Sequence, residues 1–391
     1  MNSQDLSGYF DYNATTPVSN EVANSMIAAI TQFANPSSNN RHSIKSKEAI
    51  SESRKNVASL LSTVANKIFF TSGGSEANNW AIKGVLFKHI SKPGHILTTA
   101  IEHASVLETI KYFAEHFGFE VTYLKPNKDG SVTTEDFRNA LRKDTQLVSV
   151  MYANNETGVL QPIPEIAQLA KERGIPIHVD AVQLVGKRKI NVENLEIDYL
   201  SLSAHKFYGP KGIGCLWIRD VNSIPPLIHG GGQELSMRSG TENFVSIMGA
   251  SKAAQEALLN IEQWEQNNWS CKQYMVELLR AAPIEVKFNG KLAQDAALSN
   301  TLSITIKGVR GEALGARMEL LNSYVISVGS ACSNNSKKNI SHVLKAMNIK
   351  EHDIQSTIRV SFGRFTSLQD IEKFVTVLVA ETQNLLAIGE G

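Results

Sequence analysis

Cysteine is scarce in this chain: Cys215, Cys271 and Cys332 are its only three in 391 residues. An odd number at long separations argues against a disulfide framework or a closed structural zinc site and leaves at least one thiol free. Charge of one sign is lacking too. With 39 basic against 38 acidic side chains the formal net charge is +1, so no global field draws the chain to nucleic acid or to an anionic membrane surface. Apolar runs stay below the ~18 residues that a membrane span needs. The N-terminus, Met1-Asn2-Ser3-Gln4-Asp5, is polar rather than signal-like. A cytoplasmic location is the default expectation, and no internal repeat or low-complexity tract is present.

What the chain has is enough apolar material, 42% against 20% charged, to bury a large core. From about Lys67 to Trp217 short apolar runs alternate with stretches of helical spacing. The runs are Lys67–Phe70, His95–Thr99, Val121–Leu124, Leu147–Tyr152, Ile175–Val179, Tyr199–Leu202 and Gly214–Ile218. Between them Glu76–Phe87, Val106–Phe117, Thr134–Leu141 and Ile163–Arg173 read as helices. The pattern predicts an α/β fold with a mostly parallel, seven-stranded sheet in a large domain. A Gly- and Pro-rich stretch, 225–232, closes the alternation, and a long helical pattern over Phe244–Leu279 carries the change of domain. Beyond it Leu302–Ile306, Gly311–Leu321 and Ile358–Ser361 suggest a smaller α+β domain.

Ligands of such sheets bind beyond the carboxyl ends of the strands, and the polar motifs fall there. Lys206 lies in Ser203-Ala204-His205-Lys206-Phe207-Tyr208-Gly209-Pro210, directly after an apolar run. A lysine fixed at a strand end is a carbonyl-trapping nucleophile, and pyridoxal 5'-phosphate is the aldehyde most often held this way. Upstream, Ile177-His178-Val179-Asp180 ends a strand in an acid suited to a pyridinium nitrogen. Thr71-Ser72-Gly73-Gly74-Ser75-Glu76 opens a helix whose free N–H groups suit a phosphate; the alternative is a tight turn with Ser75 as a plain N-cap. Ser203 and His205 are candidate donors to the same phosphate. His103, just past a strand, is placed to stack on a pyridine ring and shuttle protons, or else is a capping or core histidine. Asn155 and Gln183 are candidates for hydrogen bonds to a cofactor hydroxyl, or loop amides satisfying their own turns. Cys332 alone among the cysteines sits in a polar segment, whereas Cys215 reads as a buried strand thiol and Cys271 as helix packing.

The ordered set Thr71–Glu76, Glu102-His103, Asn154-Asn155-Glu156, His178-Val179-Asp180, Ser203–Lys206, Gly230-Gly231-Gly232-Gln233-Glu234, Arg238-Ser239-Gly240-Thr241 and Gly329-Ser330-Ala331-Cys332 resembles cysteine desulfurases of the NifS/IscS type, which have the class V aminotransferase fold. The likeness runs from Asp11 to Arg359 and Gly363-Arg364-Phe365. It implies fold type I of the pyridoxal phosphate-dependent transferases, with 18–255 as the cofactor-binding domain. Residues 1–17 and 256–391 would form the small domain, which bears a mobile cysteine loop at about 327–340. It also implies a homodimer that takes sulfur from L-cysteine, leaves L-alanine and passes the sulfur, stored as a persulfide on Cys332, to an acceptor protein. Residue by residue, Lys206 would carry the cofactor, Asp180 would keep its ring nitrogen protonated, and His103 would stack on the ring. Gly74, Ser75, Ser203 and His205 would bind the phosphate, Gln183 would meet the phenolic oxygen, and Asn155 would contact cofactor or substrate. Thr241 would reach the phosphate in the neighbouring subunit, and Arg359 would clamp the substrate carboxylate. No metal and no direct nucleic-acid contact are expected.

Two rivals accompany this reading. One is a selenocysteine lyase or other class V enzyme in which Cys332 is incidental; the other is a non-catalytic platform subunit of a sulfur-transfer or DNA-modification complex. The chain also departs from the family's usual pattern. Asn35–Ile44 carries an apparent insertion and lacks the expected glycine, the Cys332 segment is slightly long, and the C-terminal extension by which housekeeping members dock an iron–sulfur scaffold is not seen before Gly391. Three sulfur destinations stay open: iron–sulfur assembly, tRNA thiolation and DNA phosphorothioation.

Overall fold

A computed structural model describes residues 6–328 and 340–389. Seven strands form the larger sheet: β1 Ile68–Thr71, β2 His95–Thr99, β3 Glu120–Leu124, β4 Thr145–Met151, β5 Ile177–Asp180, β6 Tyr199–Ser203 and β7 Gly214–Ile218. Their spatial order is β1-β7-β6-β5-β4-β2-β3. The pairs from β3 through to β6 are parallel, and only β7 runs against its neighbours β1 and β6. The expected strands all form, with ends shifted by a residue or two.

Apart from the half-exposed edge strand β3, these strands are buried along almost their whole length because both faces of the sheet are covered. Successive side chains point to opposite faces. Phe69, Ile96, Leu147 and Leu216 therefore pack on the helices Gly74–Leu86 and Ala104–Phe117, which bring Trp80 and Phe113. Phe70, Leu97, Val148, Val179 and Leu202 face the other way and pack with Ile50 and Val57 of helix Ser43–Leu60 and with Ile247 and Ala254 of helix Phe244–Ala281.

A second sheet is antiparallel throughout, in the order β10-β11-β9-β8, from β8 Val286–Asn289, β9 Thr301–Ile306, β10 Ser327–Val328 and β11 Thr357–Ser361. Helix Phe244–Ala281 serves both cores: its first half contributes Ala250 and Ala257 to the larger one, its second half Met275 and Leu279 to the smaller. The start of the chain ties the sheets together. Tyr9 and Asp11 bridge to Val325 and Ser361 beside the small sheet, and Thr16 N–H then donates to the carbonyl of His205 at 2.9 Å. Residues 11–16 are thereby laid across the carboxyl ends of the large sheet. No helix among the described residues is long and apolar enough to cross a membrane.

Candidate active site

A cavity of about 550 Å³ opens at those strand ends. Gly74 and Ser75 reach it from the end of β1, His103 from β2, Asn155 from β4, Asp180 and Gln183 from β5, and Ser203, His205 and Lys206 from β6. Arg359 enters from β11 of the second sheet. Two of the expected residues are not brought here. Thr241 is exposed and faces a separate cavity of about 210 Å³ with Thr71 and Ser72, and Cys332 lies outside the described residues. A larger open groove of about 1430 Å³ along residues 6–23 and Trp264 holds none of the expected site residues.

The Lys206 Nζ donates to the carbonyls of Asn13 at 2.6 Å and Ala14 at 2.7 Å. Asp180 is buried, and its carboxylate receives Asn78 Nδ2 at 2.7 Å and the N–H of Val182 at 3.0 Å. Helix Gly74–Leu86 starts without a side-chain cap, since its N-cap is Gly73, so Ser75 is not the N-cap and the first N–H groups stay open. A side chain at Gly74 would have no room: a Cβ there would lie 2.7 Å from Val182 Cγ2. His205 is pushed down to about 4 by burial and by the cations Lys206, Lys211 and Lys187, so it meets an anion as a neutral hydrogen-bonding group. Its Nδ1 lies 3.2 Å from Thr15 Oγ1.

His103 takes the capping role and also reaches the cavity. It is the N-cap of helix Ala104–Phe117, with Nδ1 accepting from the N–H of Ser105 at 3.1 Å, and it also lines the cavity. An Nδ1 that accepts must be unprotonated, which puts the proton of the neutral ring on Nε2. At the neighbouring turn Asn154, not Asn155, satisfies the loop: its Oδ1 accepts from the N–H groups of Glu156 and Thr157, both at 2.9 Å. Asn155 contributes its carbonyl to Arg359 Nη1 at 3.0 Å.

An amine at a strand end, a buried carboxylate at the next strand end, and an uncapped helix start with Ser203 and His205 beside it form one donor set. They suit, in turn, the aldehyde, the ring nitrogen and the phosphate of pyridoxal phosphate. The sequence profile described as Aminotransferase class-V matches residues 8–374.

The chain belongs to the class V aminotransferase family.

Within this family it is 42% identical over 371 residues to cysteine desulfurase IscS of Clostridium botulinum, covering 95% of this chain and 93% of that relative. A solved NifS-like protein superposes with a TM-score of 0.89 at 34% identity, over 96% of this chain and 99% of the other. A structure described as SspA in complex with cysteine gives 0.80 at 37% identity, over 92% and 99%.

Several residues at this class V site were not singled out from the sequence. Asn78 lies one helical turn beyond Gly74 on a helix legible in the sequence, but its partner Asp180 is 102 residues away. Asp11 and Asn13 fall in the stretch where the family likeness begins but had no role of their own there, and Ser341 and His342 carried no signal, because their partners are far away in the chain. Ser341 Oγ bonds Glu156, and His342 Nε2 lies 3.0 Å from the carbonyl of Glu102. Glu102 is fully buried; one carboxyl oxygen accepts from Thr99 Oγ1 at 2.6 Å and from the N–H of Met151 at 3.0 Å, while the other has no partner among the described residues. Burial pushes it up to about 8, with nearby Asp180 adding to the rise. The remaining cysteines behave as packing residues: both are buried, and burial raises both thiols, Cys271 to about 11.

Proposed function

We propose that this chain is a pyridoxal phosphate-dependent cysteine desulfurase of the cytoplasm that works as a homodimer and moves sulfur from L-cysteine to Cys332. The observation that carries this reading is the meeting of Lys206, Asp180 and Arg359 around one cavity, in a chain 42% identical to a cysteine desulfurase. When bound, the cofactor supplies an electron sink next to the substrate's Cα. Asp180 holds the proton of the ring nitrogen through its buried carboxylate, whose two other bonds keep it oriented. Lys206 would hold the cofactor's aldehyde end, and its Nζ is the base placed to take the substrate's α-proton.

Arg359 binds the substrate carboxylate, and His103 moves a proton through Nε2. Gly74, Ser75, Ser203 and His205 hold the phosphate, Gln183 the phenolic oxygen, and Asn155 the cofactor or substrate edge. Thr241, exposed on its own subunit, completes the partner's phosphate site. Cys332 attacks the substrate sulfur: the substrate's C–S bond breaks, an S–S bond forms, and L-cysteine plus thiol becomes L-alanine plus persulfide. An acceptor protein takes the sulfur onward. The division into residues 18–255 and residues 1–17 with 256–391 belongs to the same proposal, supported by the two separate sheets.

Borohydride reduction of the purified yellow protein followed by peptide mapping tests the reading. The pyridoxyl group is expected on Lys206, with alanine released from cysteine before reduction. A label on Lys211 or another lysine, or no alanine, overturns it.

A further inference from the structure

Behind the cavity stands a second lysine. Lys187 does not line the cavity, yet its Nζ lies 2.7 Å from Gln183 Oε1 and 3.0 Å from Asn13 Oδ1. The turn that carries it is fixed tightly. Gly186 has φ +76°, and a Cβ there would lie 2.2 Å from the Cβ of Phe207, the residue after Lys206. With no room for a side chain at Gly186, Lys187 folds back over Gln183 four residues earlier.

Both neighbours of this Nζ are amide oxygens, and that decides which way the amides face. Gln183 Nε2 donates to the Asn13 carbonyl at 3.0 Å. Were the Gln183 amide reversed, its NH2 would oppose the donor Nζ and its oxygen would oppose that carbonyl, turning two bonds into two repulsions. Asn13 is fixed in the same manner. Its Oδ1 also accepts from Asn300 Nδ2 at 3.1 Å, while its Nδ2 donates to Thr301 Oγ1 at 2.8 Å and to the Asn155 carbonyl at 3.2 Å. The Asn13 carbonyl in turn accepts from Lys206.

We propose that Lys187 is a positioning residue, which locks the Gln183 amide with its second N–H toward the cofactor cavity. The inference rests on the desulfurase reading, in which Gln183 meets the phenolic oxygen of the cofactor. Burial, together with Lys206 and Arg359 nearby, pulls Lys187 well below the usual lysine range. Even a neutral amine keeps two N–H bonds, one for each oxygen, so the lock does not require an added positive charge beside Lys206.

A double-mutant cycle of Lys187→Met and Gln183→Leu tests this, read by the absorption maximum of bound pyridoxal phosphate and by its dissociation constant. Lys187→Met alone should shift the band and weaken binding about tenfold, the worth of one hydrogen bond. In the Gln183→Leu background the same change should shift nothing further and weaken binding less than about twofold, as expected of residues acting through one another. Should Lys187→Met fail to fold, Lys187→Leu, which likewise has no hydrogen to donate, takes its place in the cycle. A folded variant with wild-type band and affinity, or equal losses in both backgrounds, overturns the role of Lys187. A wild-type protein that takes up no pyridoxal phosphate overturns the desulfurase reading and this inference together. One that binds it and releases alanine while the Lys187 variants stay silent overturns only this inference.

Discussion

Arg359 and Asp11, 348 residues apart in the chain, meet with Nη2 2.7 Å from Oδ1 at the wall of the cavity. The guanidinium is almost fully buried, its Nη1 is held by the Asn155 carbonyl, and its Nε has no partner among the described residues. A planar fork held in this way is oriented before any carboxylate arrives.

Substitution at this pair should therefore act on substrate binding. Arg359→Lys keeps the charge but loses the fork, and steady-state kinetics should show KM for cysteine rising about tenfold or more with a smaller change in kcat. Asp11→Asn, which leaves the guanidinium in place but less firmly oriented, should raise KM by only about threefold. A fall in kcat at unchanged KM in both variants would contradict a carboxylate-binding role.

Cys332→Ser should retain the cofactor's absorbance and still bind cysteine, yet produce little alanine and no protein persulfide, because serine lacks the soft nucleophile. Mass spectrometry after incubation with cysteine should find one reducible extra sulfur on the Cys332 peptide of the wild type. Cys215→Ser and Cys271→Ser should load normally, since both thiols are buried and raised well above neutral pH. Packing a hydroxyl at Cys215 should cost about 1–3 kcal/mol of stability. Sulfur on either of those peptides would reverse the assignment.

Thr241 gives a test of whether the site is shared between subunits. Heterodimers that combine a Lys206→Ala subunit with a Thr241→Ala subunit contain one site with both lesions and one with neither. Activity should recover toward half that of the wild type, whereas each variant homodimer stays impaired. Verified heterodimers without recovery would mean that Thr241 serves its own subunit.

Glu102 and His178 should shape the pH profile of stability from opposite sides. The Glu102 carboxyl keeps its proton to about pH 8 in the folded state, against 4.5 as an ordinary glutamate. Its contribution is therefore complete below 4.5 and is lost as pH rises through about 8. Buried His178, held between Ser149 Oγ at 2.9 Å and Ser201 Oγ at 3.0 Å, is pushed by burial down to about 4 from 6.5. The unfolded chain thus takes up that proton first, and stability falls as pH drops from 6.5 toward 4. Thermal melts of Glu102→Gln should lose less Tm between pH 5 and pH 8 than the wild type; parallel curves would mean that Glu102 is already ionised in the fold.

The sequence alone determined most of the large sheet and the part of the site that follows from it. Lys206, Asp180 and the turn before Ser75 are legible because each lies at the end of an apolar run, and a buried strand leaves its mark in consecutive residues. The direction of β7 was not legible, since alternation of faces is the same whichever way a strand runs. Nor were β8, half exposed along most of its length, and β10, only two residues long; neither leaves enough apolar residues to form a pattern.

Only the tertiary structure decided which residues support the site. Asn13 under Lys206, Asp11 against Arg359, Asn78 on Asp180 and Lys187 on Asn13 arise where the first residues of the chain cross from the small sheet to the large one, or where a helix docks on a strand end. Their hydrogen bonds link polar groups separated by 102 residues for Asn78 and Asp180 and by 348 for Asp11 and Arg359. Local spacing carries no trace of such contacts, because packing between distant segments, and not the preference of either segment, brings the partners within bonding distance.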